Sequence, residues 1–286
     1  MLDKDKKILI VGLGLIGGSY AQGFRRTGFY VGAITRSQES IDYALKNGFI
    51  ESGTTRVTKD YISQFDLIIF SLYPKTMLAW IEEHQHNIKS GALLTDVTGV
   101  KCSVVYDIQK MLRKDIEFIG AHPMAGREVY GVKNANADIL VGANYIVTPT
   151  PANSPEAIGI CESIGKILGF AKISRLTPEK HDKIIGFLSQ LTHCIAITLM
   201  NCHETEHLAE YTGDSFRDLT RIARINDSMW SELFLMNKDA LLGEMNLFIG
   251  QFEKIRDAVQ NGDEEVLRQM MRKSTERRIC FDKKSE

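Results

Sequence analysis

Four groups of residues in this 286-residue chain have the types and spacing to do chemistry. The first centres on His122, in Gly120-Ala-His-Pro-Met-Ala-Gly-Arg-Glu128, where an imidazole ends an apolar run and is followed by a proline. Ligands of open α/β sheets bind at the carboxyl ends of the strands, so a histidine there is placed to act as a general base. A hydrogen-bonded structural histidine is the competing possibility. The second group is Asp182, Ser189 and His193, which at about 3.6 residues per turn fall on one stripe of an apolar helix. The stripe suggests the lining of a wet cleft, and a buried, satisfied histidine accounts for it equally well. The third is Arg217, Arg221 and Arg224, a basic stripe with Phe216, Leu219 and Ala223 on the other side and Asp218 spaced to orient Arg221. Such a stripe binds anions if it faces a cleft and is otherwise a solvated face. The fourth is Thr95-Asp-Val-Thr-Gly-Val-Lys101, in which Asp96 reads as a helix cap and Lys101 as either substrate-facing or a first-turn surface lysine.

These groups need a platform, and the start of the chain supplies one. An apolar run over residues 7–11 ends in Gly12-x-Gly14-x-x-Gly17, and a helical segment follows. Gly12 permits a tight turn, Gly14 removes a Cβ so that a phosphate can reach the backbone, and Gly17 lets helix and strand pack closely. The free N–H groups at the helix start then face a pyrophosphate. Leu15 and Ile16 at that start, with Ser71 at the end of another strand, complete the expected dinucleotide contacts. Where NAD-binding folds place an acid for the ribose 2′-hydroxyl, this chain reads Thr35-Arg36-Ser37. Two hydroxyls flanking an arginine suit a 2′-phosphate, so NADP is expected over NAD.

Around these motifs the pattern alternates. Strands are predicted over 7–11, 30–35, 67–71, 92–95, 117–121 and 144–148, with helices over 17–27, 38–47, 75–88, 101–113 and 154–168 and an edge strand over 170–175. That is an α/β Rossmann-like domain over residues 1–175. After Pro178 the pattern is helical, with one long helix over 178–210 and others over 215–225, 228–258 and 263–278. An all-α domain over 176–286 with that much apolar surface is expected to form a homodimer. The net charge of −1 gives no reason to propose nucleic acid or a membrane as partner, and the apolar stretches read as shorter than the ~20 residues of a span. Five cysteines without CxxC spacing suggest no disulfide framework and no metal, and with no secretory signal in the first residues they fit a reducing cytoplasm.

In this order and spacing the segments resemble the prephenate dehydrogenase family, which includes arogenate dehydrogenases. The pieces are Gly-Leu-Gly-Leu-Ile-Gly-Gly-Ser, Thr-Asp-Val-x-Gly-Val-Lys, Ala-His-Pro-Met-Ala-Gly-x-Glu, His-Asp-x7-Gln-Leu-Thr-His, and Phe-Arg-Asp-Leu-Thr-Arg with a later Met-Trp. The resemblance implies that His122 takes the ring-hydroxyl proton and Arg221 binds a substrate carboxylate, with Glu128 and Asp218 near that arginine. It also implies that Asp182, Ser189 and His193 line the cleft, with Trp230 close to its mouth. Hydride would leave C4 of prephenate for NADP or NAD, and decarboxylation would aromatise the ring to 4-hydroxyphenylpyruvate. With an ordinary histidine pKa near ~6.5, activity should climb through mildly acidic pH. Many relatives carry serine at Gly99, so Thr98, a backbone group or a water would have to supply that hydroxyl, and Gln190 stands where some relatives have histidine. Arogenate as substrate, a β-hydroxyacid dehydrogenase or imine reductase, and a non-catalytic nucleotide sensor remain the alternatives.

Overall fold

The computed structural model describes residues 2–281 apart from Glu128 and Thr205. Its order is β1 (Ile8–Val11), α1 (Leu15–Arg26), β2 (Val31–Ile34), α2 (Gln38–Lys46), β3 (Ser52–Thr54), α3 (Lys59–Ile62), β4 (Leu67–Phe70), α4 (Pro74–His84), β5 (Leu93–Asp96), α5 (Cys102–Met111), β6 (Glu117–Pro123), β7 (Asn144–Thr148), α6 (Pro155–Ile167) and β8 (Lys172–Arg175). Then come α7 (Pro178–Ile185), α8 (Thr192–Asn201), α9 (Asp214–Thr220), α10 (Asp227–Met236), α11 (Lys238–Asn261) and α12 (Glu264–Arg278). The chain divides into two compact units, Met1–Lys238 and Asp239–Glu286.

The eight strands form one sheet in the order β3-β2-β1-β4-β5-β6-β7-β8. Pairing is parallel except between β6 and β7. Strands with apolar residues on both sides must be covered on both faces. Ile8 and Ile10 of β1 pack with Tyr20 and Phe24 of α1, Ile41 of α2 and Ile164 of α6. Leu9 and Val11 pack on the other face with Met77 and Ile81 of α4 and Val104 and Ile108 of α5. Val11 lies level with Ile34 and with Phe70, so the loops that begin at Gly12, Thr35 and Ser71 leave the sheet at one edge. Chain order reverses between β1 and β4, and that crevice is where such sheets bind ligands. Because β6 runs past the end of β5 and pairs with β7 there, His122 is held beyond the ends of its parallel neighbours, opposite Ile146.

Three expectations about the elements need correction. Ser52-Gly-Thr54 forms β3, which has no apolar alternation to reveal it and is recruited by pairing with β2. The helix expected over 178–210 ends at Asn201 and contains a π-helical turn over Gly186–Leu191. Beyond it, His207 adopts a left-handed conformation (φ 65°) that no α-helix can pass through. The helix expected over 228–258 breaks at Asn237, whose buried amide donates to the Asp182 carbonyl at 2.9 Å and to Gln190 Oε1 at 2.8 Å. The membrane expectation also shifts. Counted through its π turn, Pro178–Asn201 contains an 18-residue window of mean hydropathy 1.4 and is, by length and composition, long and apolar enough to cross a bilayer. The core helix of a soluble protein passes the same test, and this stretch carries the buried His181, Asp182 and Gln190.

The glycine turn behaves as its spacing predicts. Gly12 has φ +101°, and a Cβ on it would overlap the carbonyl oxygen of Ser71. A Cβ on Gly17 would overlap the carbonyl oxygen of Gly12, whereas Gly14 has nothing within 4 Å of where its Cβ would stand. Gly17→Ala should therefore lower the melting temperature markedly. Gly14→Ala should keep it within a few degrees and weaken cofactor binding, as calorimetry with each variant would show.

Candidate active site

One carboxylate organises the catalytic edge. Asp96 closes β5 fully buried, and its Oδ2 takes the Lys101 ammonium at 2.6 Å and the Thr98 N–H at 3.0 Å, with the Thr98 hydroxyl also donating to it. Its Oδ1 accepts from the N–H of Ala121, one residue before His122, at 3.0 Å. Lys101 is thus neither substrate-facing nor on the surface. Its side chain is fully enclosed, and burial holds its ammonium below the ordinary pKa against the pull of Asp96. The second carboxylate, Asp182 on α7, accepts from the N–H groups of Lys101 and Cys102, each at 2.8 Å, and so caps α5. It also accepts from His181 Nδ1 at 2.7 Å. His181 Nε2 in turn lies 2.9 Å from His122 Nδ1, with the two rings nearly edge to face.

A cleft of about 590 Å³ opens in front of His122. Gly14, Leu15, Ile16 and Ser71 line its cofactor side, and Ser189, Gln190, His193 and Trp230 its helical side. Thr98 and Gly99 lie beside His122, and Arg127 and Arg224 contribute positive charge. The glycine turn and the histidine therefore share one cavity. His193 donates from Nδ1 to the Ser189 carbonyl at 2.9 Å and stacks on Trp230 with ring centroids 3.7 Å apart. Gln190 donates to the Leu233 carbonyl at 3.1 Å, which ties this wall to α10. Across the cleft, Glu232 of α10 accepts from the Lys75 N–H of α4 at 2.6 Å, and Asn226 donates to Tyr73 Oη at 3.0 Å.

Burial, then His181, then Lys101 push the His122 imidazolium well below the usual histidine range. His181 is lowered too, by burial against the pull of Asp182. Burial alone would raise the Asp182 carboxyl, but His181 and the two N–H donors outweigh it and hold Asp182 below its ordinary value. At neutral pH the site contains two neutral imidazoles backed by an ionised carboxylate.

Several expected positions differ. Asp182 does not line the cleft, because the π turn between it and Ser189 adds phase that a 3.6-residue repeat does not allow for. Ser189 and His193 face the cavity while Asp182 turns into the core. The arginines do not form one stripe, since α9 stops at Thr220 and Arg221–Ala223 is a 3-10 turn. Ile222 and Arg224 line the cavity, while Arg221 and Asp218 lie outside its lining. Glu128 lies outside the described residues. Thr35, Arg36 and Ser37 sit at the end of β2, away from the cavity lining, and Ser37 Oγ caps α2 by accepting from the Ser40 N–H at 3.2 Å. Thr98 does not stand in for a serine at position 99, because its hydroxyl is engaged by Asp96, Val100 and Lys101. A Cβ on Gly99 would stand 3.8 Å from His122 Nε2, in ordinary contact, so a side chain's first carbon fits there. His181 and Asn237 went unnoticed as site residues, and only the His-Asp pair within a recognised segment pointed to the former.

The cofactor side fits a dinucleotide. α1 has no side-chain cap, which leaves its first N–H groups for an anion, and the open space at Gly14 lets a phosphate approach them. Residues 20–172 match the family model for "Prephenate dehydrogenase, nucleotide-binding domain", and residues 177–273 match that for its dimerization domain. The chain belongs to the prephenate dehydrogenase family. A prephenate dehydrogenase of Bacillus subtilis is 32% identical over 91% of this chain and 72% of that protein. A cyclohexadienyl dehydrogenase of Zymomonas mobilis is 28% identical over 96% of each. The crystal structure of prephenate dehydrogenase from A. aeolicus with hydroxyphenyl propionate and NAD+ matches with a TM-score of 0.89 at 28% identity, over 98% of this chain and 99% of that one. Like the other prephenate dehydrogenases, the protein is an oxidoreductase that uses a nicotinamide cofactor.

Removing one partner of a buried ion pair leaves the other charge uncompensated. Lys101→Met should destabilise the fold by about 3–5 kcal/mol, read as a lower urea midpoint with an unchanged slope. A midpoint equal to that of the unmodified protein would show that Asp96 does not need its cation.

Proposed function

We propose that this protein oxidatively decarboxylates prephenate to 4-hydroxyphenylpyruvate, the dehydrogenase step of tyrosine biosynthesis. The observation that carries this reading is that His122 shares one cavity with the uncapped start of α1, in a buried setting that disfavours its charged form. A nicotinamide cofactor held by Gly14, Leu15 and Ile16 at the start of α1 would supply the hydride acceptor for C4. His122 Nε2, with Nδ1 occupied by His181, takes the C4-hydroxyl proton. Loss of the ring carboxylate as carbon dioxide then makes the ring aromatic, so no metal or covalent nucleophile is required. Positioning and one base are enough. Arg127 and Arg224, with Arg221 one turn away, provide cationic character for the two carboxylates. The described lining residues include no acid to pair with the ammonium of arogenate, which favours prephenate. Arogenate offered in parallel tests the preference.

The cofactor of choice is NADP. Support comes from the missing acid at the end of β2 and the exposed Arg36 there. The working unit is a homodimer, supported by the dimerization-domain match and by Leu247, Phe252 and Val259 of α11, which are 61–65% exposed.

His122→Asn should lower kcat by about 10²–10⁴-fold with cofactor affinity nearly unchanged. In the unmodified enzyme the acid limb of kcat/KM should lie below pH ~6.5, because a depressed imidazolium pKa keeps the base neutral into more acidic solution. A limb at or above that value would contradict a neutral buried base. Arg36→Ala should raise the KM for NADP far more than that for NAD, and equal efficiency of the unmodified enzyme with both cofactors would remove the NADP preference. Arg221→Ala and Arg224→Ala should each raise the KM for prephenate, and unchanged KM values in both would move the carboxylate contacts elsewhere.

A further inference from the structure

His181 and Asp182 lie behind the catalytic base, on the side away from the cleft, and the direction of their hydrogen bonds follows from donor counting. The Asp182 carboxylate can only accept. Its Oδ1 takes the N–H of Lys101 at 2.8 Å and a proton-bearing Nδ1 of His181 at 2.7 Å, while Oδ2 takes the N–H of Cys102 at 2.8 Å. Had His181 carried its proton on Nε2 alone, a lone pair would face an ionised carboxylate at 2.7 Å with no hydrogen between them. His181 is therefore the Nδ1–H tautomer, and its Nε2 can only accept. The atom 2.9 Å from that Nε2 is His122 Nδ1, which must donate. A neutral imidazole has one N–H. His122 Nε2, the nitrogen nearer Gly99 in the cavity lining, is consequently left bare.

We propose that His181 is a positioning residue that passes the orientation imposed by Asp182 on to His122, fixing the tautomer in which Nε2 is free to take the substrate proton. The role rests on the reading of His122 as the base. The other charged groups near the pair are already committed. Lys101 is bound to Asp96 and Thr98, and Asp96 is filled by Lys101, Thr98 and the Ala121 N–H. Neither can set the His122 tautomer in place of His181. When the C4-hydroxyl proton reaches Nε2, the O–H bond breaks, an N–H bond forms, and the hydride leaves C4 for the cofactor. The resulting imidazolium keeps its Nδ1–H on His181, with the Asp182 charge one ring further away. No proton needs to travel along the chain. The opposite tautomer would present Nε2–H to the substrate, and a donor there cannot accept the hydroxyl proton.

Two variants at position 181 separate orientation from bulk. His181→Leu fills the space and removes the acceptor. His181→Gln can accept from His122 Nδ1 through its amide oxygen and donate to Asp182 through its amide nitrogen. His181→Leu should lower kcat on the order of 10²-fold with little change in the KM for prephenate or in cofactor affinity, and His181→Gln should recover most of it. Imidazole ¹⁵N spectra, with the His122 signals assigned by loss in His122→Asn, should show the Nδ1–H tautomer in the unmodified protein and in His181→Gln, and a mixture or its reverse in His181→Leu. Unmodified turnover in His181→Leu, or an Nε2–H tautomer of His122 in the unmodified protein, would overturn the proposal. If His181→Leu does not fold, the His181→Gln spectrum decides. If prephenate is not turned over by any form, the functional reading fails, while the spectra still judge the tautomer independently.

Discussion

The buried pair between Asp96 and Lys101 is the constraint on which the catalytic edge depends. Burying two charges costs more than their attraction returns unless other donors complete the carboxylate, and here Thr98 and the Ala121 N–H do so. The geometry then propagates by one residue in each direction. Ala121 is held by Asp96, which places His122 beyond the strand ends. Lys101, held by its ammonium, offers its own N–H to Asp182, which places His181. The two imidazoles meet at 2.9 Å because the residue beside each is tied to the same lysine–aspartate unit.

The same arrangement suits the proposed role of a histidine as base in a cleft with cationic lining. Cations near a general base suppress its protonation, and so does removal from water. Lys101 and burial both act in that direction on His122, so the base is ready before substrate arrives. Arg127 and Arg224 lie among the lining residues and place positive charge in the cleft apart from the histidine pair. The opposite wall is stiffened by the His193–Trp230 stack and by Gln190, whose two polar ends are taken by α10 and by Asn237. The π turn is what allows this wall and the Asp182 cap to coexist. One continuous α-helix would keep Asp182, Ser189 and His193 on a single stripe. The wider turn sends Asp182 inward and leaves the other two in the cavity.

Much of this was legible in the chain itself. The Gly12-Gly14-Gly17 spacing specified the turn because close backbone approach is a local demand that only glycine meets, and the apolar runs located every main strand except β3. His122 was legible because a strand end followed by proline is a local signal. The sequence alone therefore determined the α/β fold class and the dinucleotide turn, and it singled out His122 as the candidate base. Tertiary structure alone decided which polar residues face the cavity and which sit behind it. Asp182, Lys101 and His181 are polar groups whose partners lie 81, 5 and 59 residues away, and no helical or strand period encodes such pairings. The register of the arginines and of the long helix also changed, at a 3-10 turn and a π turn. Those turns follow from what the chain packs against, because one residue of added or lost phase costs little locally and is settled by the contacts it permits.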